Sequence, residues 1–343
     1  MTHPRDIFLG SQAATGVLPV CDHYCGVEAR MVKSLQLQAE MSQEFGACVF
    51  DVTLDCEDGA PVGGEVDHAS MVAAVANRAH VASKNTANRV AARVHAVDHS
   101  AFASDIEIIV GQAGPSLCHV MVPKVESVED VQLAIKLIDA VQQSNALTAK
   151  VKPLPIHVLI ESPAAVHRAF EIAAHPRVQS LSFGLMDFVS SHGGAIPSNA
   201  MHVLGQFTHP LVVRAKLAIA SACHAFGKVP SHCVVTEFAD TSAIAGAARR
   251  AAWEFGYTRM WSIHPSQIRP ILAAFSPSEE EVDTASQIIV AAAGADWAPI
   301  NFKGKLHDRA SYRYYWQLLE RAHQTGRALS EPVSCYFDTE KSI

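Results

Sequence analysis

Six short apolar runs in this chain lead directly into ionisable groups. Val52-Thr53-Leu54 runs into Asp55-Cys56-Glu57-Asp58, Ala91-Ala92 into Arg93, Met121-Val122-Pro123 into Lys124, and Leu159-Ile160 into Glu161. Phe183-Gly184-Leu185-Met186 precedes Asp187, and Ser262-Ile263 precedes His264. Glu161 and Asp187, ending neighbouring strands, can converge on one point, and carboxylates with room for water and substrate oxygens are what Mg²⁺ prefers. The plainer reading is that each acid serves the helix after it, since Ser162-Pro163 has the form of a helix start. Arg93 can grip a substrate carboxylate with two parallel N–H groups, or it can pair with Glu57 or Asp58. Asp55, Glu57 and Asp58 suit supporting roles, orienting Arg93 or hydrogen-bonding metal-bound water. Lys124 neutralises that acidic rim, and His264 serves either a structural hydrogen bond or catalysis.

Such residues need a frame that gathers strand ends. Eight apolar runs, at 16–20, 47–54, 90–96, 119–123, 156–160, 180–184, 233–238 and 260–263, alternate with segments of helical periodicity. They show little polar alternation, as parallel strands covered on both faces do. Ser127 and Asp130 resemble a cap ahead of Val128, Val131, Ile135 and Ile138, and 26–45, 210–226 and 241–255 also suit helices. Eight strand–helix alternations predict an α/β protein, and the count favours a closed (β/α)8 TIM barrel over an open doubly wound sheet. No G-x-G-x-x-G turn follows the first strand to argue for a dinucleotide site. In such a barrel the catalytic groups come from the C-terminal ends of several strands.

We read residues 1–275 as the barrel and 276–343 as a C-terminal helical lid. Ser276-Pro277-Ser278-Glu279-Glu280 predicts a helix start with Ser276 as cap, a second helix spans 311–323, and 301–308 between them is a polar linker.

Of 343 residues, 49% are hydrophobic and 18% charged, the balance of a globular enzyme. The net charge of −7 and the absence of a Lys/Arg block exclude a basic stripe for nucleic acid or an anionic membrane. No run of apolar residues is long enough to span a bilayer, and the N-terminus lacks a secretory signal, so a cytoplasmic protein is expected. The eight cysteines are scattered and mostly sit in apolar stretches, as reduced thiols do. Cys21-Asp22-His23-Tyr24-Cys25 lacks the second ligand pair of a zinc site. There is no H-E-x-x-H cluster and no G-x-S-x-G elbow.

In chain order these motifs resemble the citrate lyase beta-subunit-like and malyl-CoA lyase family of metal-dependent aldolases. Leu54-Asp55-Cys56-Glu57-Asp58 is similar to its D-L-E-D strand end, Ala92-Arg93-Val94-His95 to its V-R-[VI]-N, and Met121–Ser127 to its L-P-K-V-E-S. Glu161-Ser162, Gly184-Leu185-Met186-Asp187-Phe188 and Ile263-His264-Pro265-Ser266-Gln267-Ile268 resemble its E-[ST], G-x-x-D-[FL] and I-H-P-x-Q-I elements. The resemblance covers about residues 17–325. It implies Mg²⁺ held by Glu161 and Asp187, with Arg93 on the substrate's carboxylate or keto end. Gly304-Lys305-Leu306-His307-Asp308 resembles a lid element that supplies an aspartate to a neighbouring subunit's barrel, which points to Asp308 as acid–base; its plainer role is a helix cap.

The reaction so implied is a reversible Claisen-type cleavage of a malyl-CoA-like 3-hydroxyacyl-CoA to an acyl-CoA and an α-keto acid. The resemblance also implies a homo-oligomer, a trimer or hexamer, acting on a small molecule. Two departures bear on the CoA end. The family's R-[RS]-x-L opening and P-G loop find no counterpart in 14–23, where Asp22 stands in the expected loop, and the basic pair after D-L-E-D is replaced by Gly63-Gly64-Glu65-Val66-Asp67. An aldolase acting on a free hydroxy-keto acid, a thioesterase and a catalytically silent subunit stay open as alternatives.

Overall fold

The computed structural model describes residues 3–9, 17–82, 88–145 and 152–338. Alternation inside the strands sets the architecture. In the strand Phe50–Asp55, Phe50, Val52 and Leu54 join the main apolar core. Successive side chains of a strand face opposite ways, so Asp51, Thr53 and Asp55 turn to the other face, where each finds a polar partner. The strand belongs to a closed parallel barrel of β1 (Cys21–Cys25), β2 (Phe50–Asp55), β3 (Val90–Arg93), β4 (His119–Val122), β5 (Ile156–Ile160), β6 (Val178–Phe183), β7 (Val229–His232) and β8 (Arg259–Ser262). Each strand pairs with the next and β8 returns to β1. The expected TIM barrel is present. Its strands are not continuously apolar, however: the inner face is strongly polar.

Low in the barrel that polarity is paired. Arg259 meets Asp22 at 2.8 Å and Asp51 at 2.6 Å, and Arg89 meets Asp51 at 2.5 Å. Thr53 donates to Asp22 at 2.7 Å, while His119 and His157 stack with ring centroids 3.5 Å apart. One level higher, Tyr24, Met121, Leu159 and Trp261 form a small apolar cluster. Above it lies the mouth, where the β2–β3 register sets Asp55 beside Arg93.

Two strands sit away from their expected places. The first strand is Cys21–Cys25, not 16–20: Pro19 has no N–H for a ladder, and its carbonyl instead accepts from Arg259 at 2.8 Å. Gly16 lies outside the described residues. Asp22 is therefore not in a loop but inside the barrel, and Cys21 and Cys25 are buried strand residues rather than part of a zinc turn. Among the described residues, no group of three metal-ligating side chains includes either cysteine. The seventh strand is Val229–His232, not 233–238, because Val-Pro-Ser-His lacks the apolar run that marks the others.

Beyond the barrel, a second apolar cluster unites the helices Pro4–Leu9, Glu279–Gly294 and Arg309–Gln324 around Phe8, Tyr312 and Trp316. The Glu279–Gly294 helix is capped by Ser278, not Ser276. Ser278 and Glu281 form a reciprocal capping box that Ser276, ahead of Pro277, is not placed to make. The expected linker at 301–308 is an antiparallel hairpin, β9 (Ile300–Phe302) and β10 (Lys305–His307), ending at Asp308. None of the described helices is long and apolar enough to cross a membrane.

Candidate active site

The mouth is built on Asp55. Its two oxygens accept from Arg93 Nε and Nη2, both at 2.6 Å, and from the backbone N–H of Glu57 and Gly59 at 3.0 and 2.9 Å. A side chain on Gly59 would collide with this carboxylate, so the tight turn after β2 depends on glycine there. Arg93, 6% exposed, also pairs with Glu57 at 2.9 Å and lies over the Tyr24 ring, 5.5 Å from its centroid. Of the five N–H groups of a guanidinium, two donate to Asp55, while Nη1 pairs with Glu57 by charge without a hydrogen bond. Burial opposes the charge on Arg93, but Asp55 and Glu57 outweigh that and raise its pKa. Both expected roles of Arg93 are therefore compatible, because it is held by acids yet keeps donors free.

Glu57 bridges Arg93 to the Lys124 ammonium, which also approaches Asp58 at 3.4 Å. Lys124 sits at φ 50°, a strained conformation for a residue with a side chain, and this turns its backbone N–H onto Glu161 Oε2 at 2.8 Å. The Lys124 side chain meanwhile leaves Glu161 for Glu57. Glu161, 5% exposed, folds across Gly184, where a Cβ would overlap its carboxyl group. Gly184 opens the short helix Leu185–Ser190, whose first turn carries Asp187. Burial, and next the charge of Asp187, push the Glu161 carboxyl up to about 8.

These two acids fit a hard divalent cation. They are oxygen donors, they repel one another, and among the described residues neither forms an ion pair. A second cluster, Asp22, His119 and His157 low in the barrel, brings three ligand atoms within 4.8 Å of one another. It suits Mg²⁺ poorly: two donors are imidazoles, and Arg259 already supplies a cation to Asp22 at 2.8 Å.

A cavity of about 780 Å³ opens over Arg93 and Asp55, with Tyr24, Trp261, Phe238 and His264 on its walls and Arg30 and Lys33 at its rim. His264 stacks on Phe238 at 5.1 Å and caps the turn Pro265–Gln267, its ring nitrogen accepting from the Ser266 N–H at 3.3 Å. The structural role expected for it is thus visible, in a position that also faces the cavity. Asp308 is not brought to the mouth of its own barrel. It caps the Arg309–Gln324 helix, accepting from Ala310 at 3.0 Å and Ser311 at 3.3 Å, beside a separate cavity of about 480 Å³.

Sequence reasoning missed Tyr24 and Trp261, which stack at 4.8 Å beneath the mouth, and whose Oη and Nε1 have no hydrogen-bond partner among the described residues. Their signal was period-two spacing: Tyr24 follows Asp22, and Trp261 follows Arg259, on the inner face.

An eight-stranded parallel barrel with carboxylates gathered at one mouth is a TIM barrel with an acidic site at the end where such folds carry their chemistry. The chain belongs to the HpcH/HpaI aldolase/citrate lyase family, whose model matches residues 34–265, and is a carbon–carbon lyase. It is 32% identical over 234 residues to an L-malyl-CoA/beta-methylmalyl-CoA lyase of Cereibacter sphaeroides, covering 64% of this chain and 72% of the relative. A citrate lyase structure from Burkholderia xenovorans is 46% identical, with a TM-score of 0.80, covering 98% of this chain and all of that one (100%). A Mycobacterium tuberculosis citrate lyase beta subunit, complexed with oxaloacetate and magnesium, shares the fold at 23% identity and a TM-score of 0.56, covering 76% of this chain and 98% of that one.

Proposed function

We propose that this chain is a Mg²⁺-dependent lyase that cleaves a malyl-CoA-like 3-hydroxyacyl-CoA, reversibly, to an acyl-CoA and an α-keto acid. The observation that carries the proposal is the pair Glu161 and Asp187, carboxylates at the barrel mouth of which the second raises the first and neither forms an ion pair among the described residues. Glu161 and Asp187 would hold the ion, which when bound supplies Lewis acidity towards the substrate's carboxylate and adjacent oxygen. Arg93, held by Asp55 and paired with Glu57, offers N–H groups that Asp55 does not take to the substrate carboxylate. Arg30 and Lys33 at the cavity rim provide positive charge suited to the phosphates of a CoA chain. The carbinol O–H gives its proton to solvent as its C–O becomes the keto acid's C=O. The bond between the thioester's α-carbon and the carbinol carbon breaks, and that bond's electron pair passes to the thioester enolate. Asp308, brought by the C-terminal segment of a second subunit, protonates that α-carbon or, in condensation, takes its proton.

The kinship with a malyl-CoA lyase and the basic rim support the thioester over a free hydroxy-keto acid. On this reading residues 276–343 act as a lid between subunits of a homo-oligomeric, cytoplasmic enzyme. The test is a screen of candidate thioesters and free hydroxy-keto acids with Mg²⁺, scoring release of glyoxylate or pyruvate. Keto acid released from thioesters alone supports the proposal. Release from the free acids alone favours the aldolase, and free CoA without keto acid favours a thioesterase. Wild-type kinetics for Asp308→Asn would remove the lid acid from the scheme.

A further inference from the structure

A groove of about 1010 Å³ runs outside the barrel, between the loop after β6 and the helix Thr241–Trp253 that follows β7. Its floor is apolar. Phe207 and Ala247 are buried there, while Leu204, 77% exposed, and Trp253, 56% exposed, line it in the open. Large apolar side chains grouped in water mark a surface that another chain covers. Gly246 lies on the same wall, and a Cβ built on it would meet nothing within 4 Å. No neighbour in this chain requires glycine there, although glycine is unfavourable inside a helix. The groove adjoins the mouth: Glu237 lines it, and the next residue, Phe238, lines the cavity over Arg93. It therefore flanks the side of the mouth that carries Asp187, whereas Arg30 and Lys33 stand beyond β1. At this end Glu237 meets His202 at 3.2 Å and Asp240 caps its own helix, and neither pairs with a lysine or arginine among the described residues. Farther along, Glu254 is tied to Arg250 at 2.9 Å.

The β9–β10 hairpin has the complementary shape and charge. In its own chain it packs on the helices Glu279–Gly294 and Arg309–Gln324. His307 is buried, its ring 5.5 Å from that of Tyr315, so Leu306 faces the opposite way and is 76% exposed. Lys303, Lys305 and Arg309 give the segment a positive charge against the single acid Asp308. We propose that the groove receives this hairpin from a second copy of the chain, with Leu306 seated among Leu204, Phe207 and Trp253. Arg309 then meets Glu237 and Asp240 at the mouth end. Asp308 lies two residues beyond Leu306, at most about 7 Å along the chain, so seating Leu306 brings Asp308 to the edge of the neighbour's mouth. The proposal rests on the reading of Asp308 as an acid supplied between subunits, and adds the surface that receives it.

The experiment replaces Leu306 of the full chain with a photoactivatable benzophenone residue and mixes isotopically light and heavy chains. Cross-links are then mapped by mass spectrometry. Light-to-heavy links from 306 to residues 203–207 or 243–253 are expected. Links confined to one chain, links to another surface of the neighbour, or a chain that sediments as a monomer overturn the proposal. Gly246→Trp fills the groove without a clash in its own chain, and should cut both the intersubunit yield and kcat/KM at least about tenfold with Mg²⁺ affinity unchanged. An undiminished yield in that variant also overturns the docking. Should Gly246→Trp fail to fold, Leu306→Asp, at an exposed position, reads the same loss in kcat/KM. The underlying reading is tested apart from the groove by mixing Asp308→Asn with Asp187→Asn. No recovered activity removes the acid supplied between subunits, whatever the cross-links show. Recovered activity with links elsewhere keeps that acid and removes the groove.

Discussion

The two levels of the barrel interior use the same residue types to opposite ends. Low in the barrel, Asp22 and Asp51 face Arg89 and Arg259, two anions against two cations, with Arg259 reaching both acids. At the mouth, Asp55, Glu57, Asp58, Glu161 and Asp187 are served within their contact network by Arg93 and Lys124 alone, five carboxylates against two cations. In the lower set each acid has a cation beside it, and these pairs tie neighbouring strands together. The upper set has a deficit of positive charge at Glu161 and Asp187, and that deficit is what a divalent ion would fill. Charged side chains inside a barrel therefore say little about function until their partners are counted.

The sharpest way to break this contrast is to remove one carboxylate at the mouth. Asp187→Asn and Glu161→Gln should each lower kcat/KM by about ten-thousandfold, on the order of 5 kcal/mol in the barrier. Mg²⁺ binding by isothermal titration should disappear with it. The metal-free melting temperature should hold or rise, because each substitution relieves repulsion between two acids. Retained Mg²⁺ affinity in Asp187→Asn would mean that the ion lies elsewhere.

The lower set should respond in the reverse sense. Arg259→Met leaves Asp22 buried without a cation, and breaking such a pair costs roughly 3–5 kcal/mol. Urea denaturation should show that loss, while Mg²⁺ affinity measured on the folded fraction changes little. A stability within about 1 kcal/mol of wild type would show that the lower pairs are dispensable and the contrast overdrawn.

How far each level was legible in the sequence follows from the same chemistry. The mouth residues stood out because each ionisable group ends an apolar run, so a break in composition marked it. Asp51 was hidden inside such a run, Asp22 lay in a segment read as a loop, and Arg259 fell one residue before its expected strand. An inward-facing charge in a strand is a period-two signal, and one polar residue among β-formers does not say which face is wet. The seventh strand, Val-Pro-Ser-His, has no apolar signature at all; its neighbours impose its place. The hairpin before Asp308 has strands of three residues, too short for any alternation to be read.

A third arrangement extends the comparison to a buried cation that, among the described residues, pairs with no carboxylate and has only the Cys233 thiol as an acidic neighbour. Lys216, fully buried between the barrel wall and its own helix, donates to Gln206 and to His232, each at 2.7 Å, with its ammonium 3.8 Å from the centre of the Phe207 ring. Neutral partners hold the charge less well than carboxylates, and burial lowers this lysine from 10.5 to about 8. Between those two values the unfolded chain binds a proton that the folded chain does not, so this group adds stability as pH rises through that window. The stability of wild type relative to Lys216→Met should therefore increase by about 3 kcal/mol from pH 8 to 10.5. The difference between variants removes the contribution of the buried thiols away from Lys216, which act in the opposite direction: Cys21, Cys25 and Cys223, raised to about 12, lose their contribution as pH climbs above 9.0. A pH-independent difference would show that the neutral cage holds the ammonium as well as water does.

The smallest expected effect separates the two roles of Asp308. As a cap, its carboxylate accepts two backbone N–H groups at the start of the Arg309–Gln324 helix. Asparagine caps about as well as aspartate, whereas alanine costs about 1 kcal/mol. Asp308→Ala should lower the unfolding free energy by that amount, and Asp308→Asn should leave it within a few tenths. If Asp308 were only a cap, kcat would follow this order, with the asparagine variant nearly wild type. An acid–base role predicts that kcat falls at least about a hundredfold in both variants alike, because neither side chain can carry the proton however well it ends the helix.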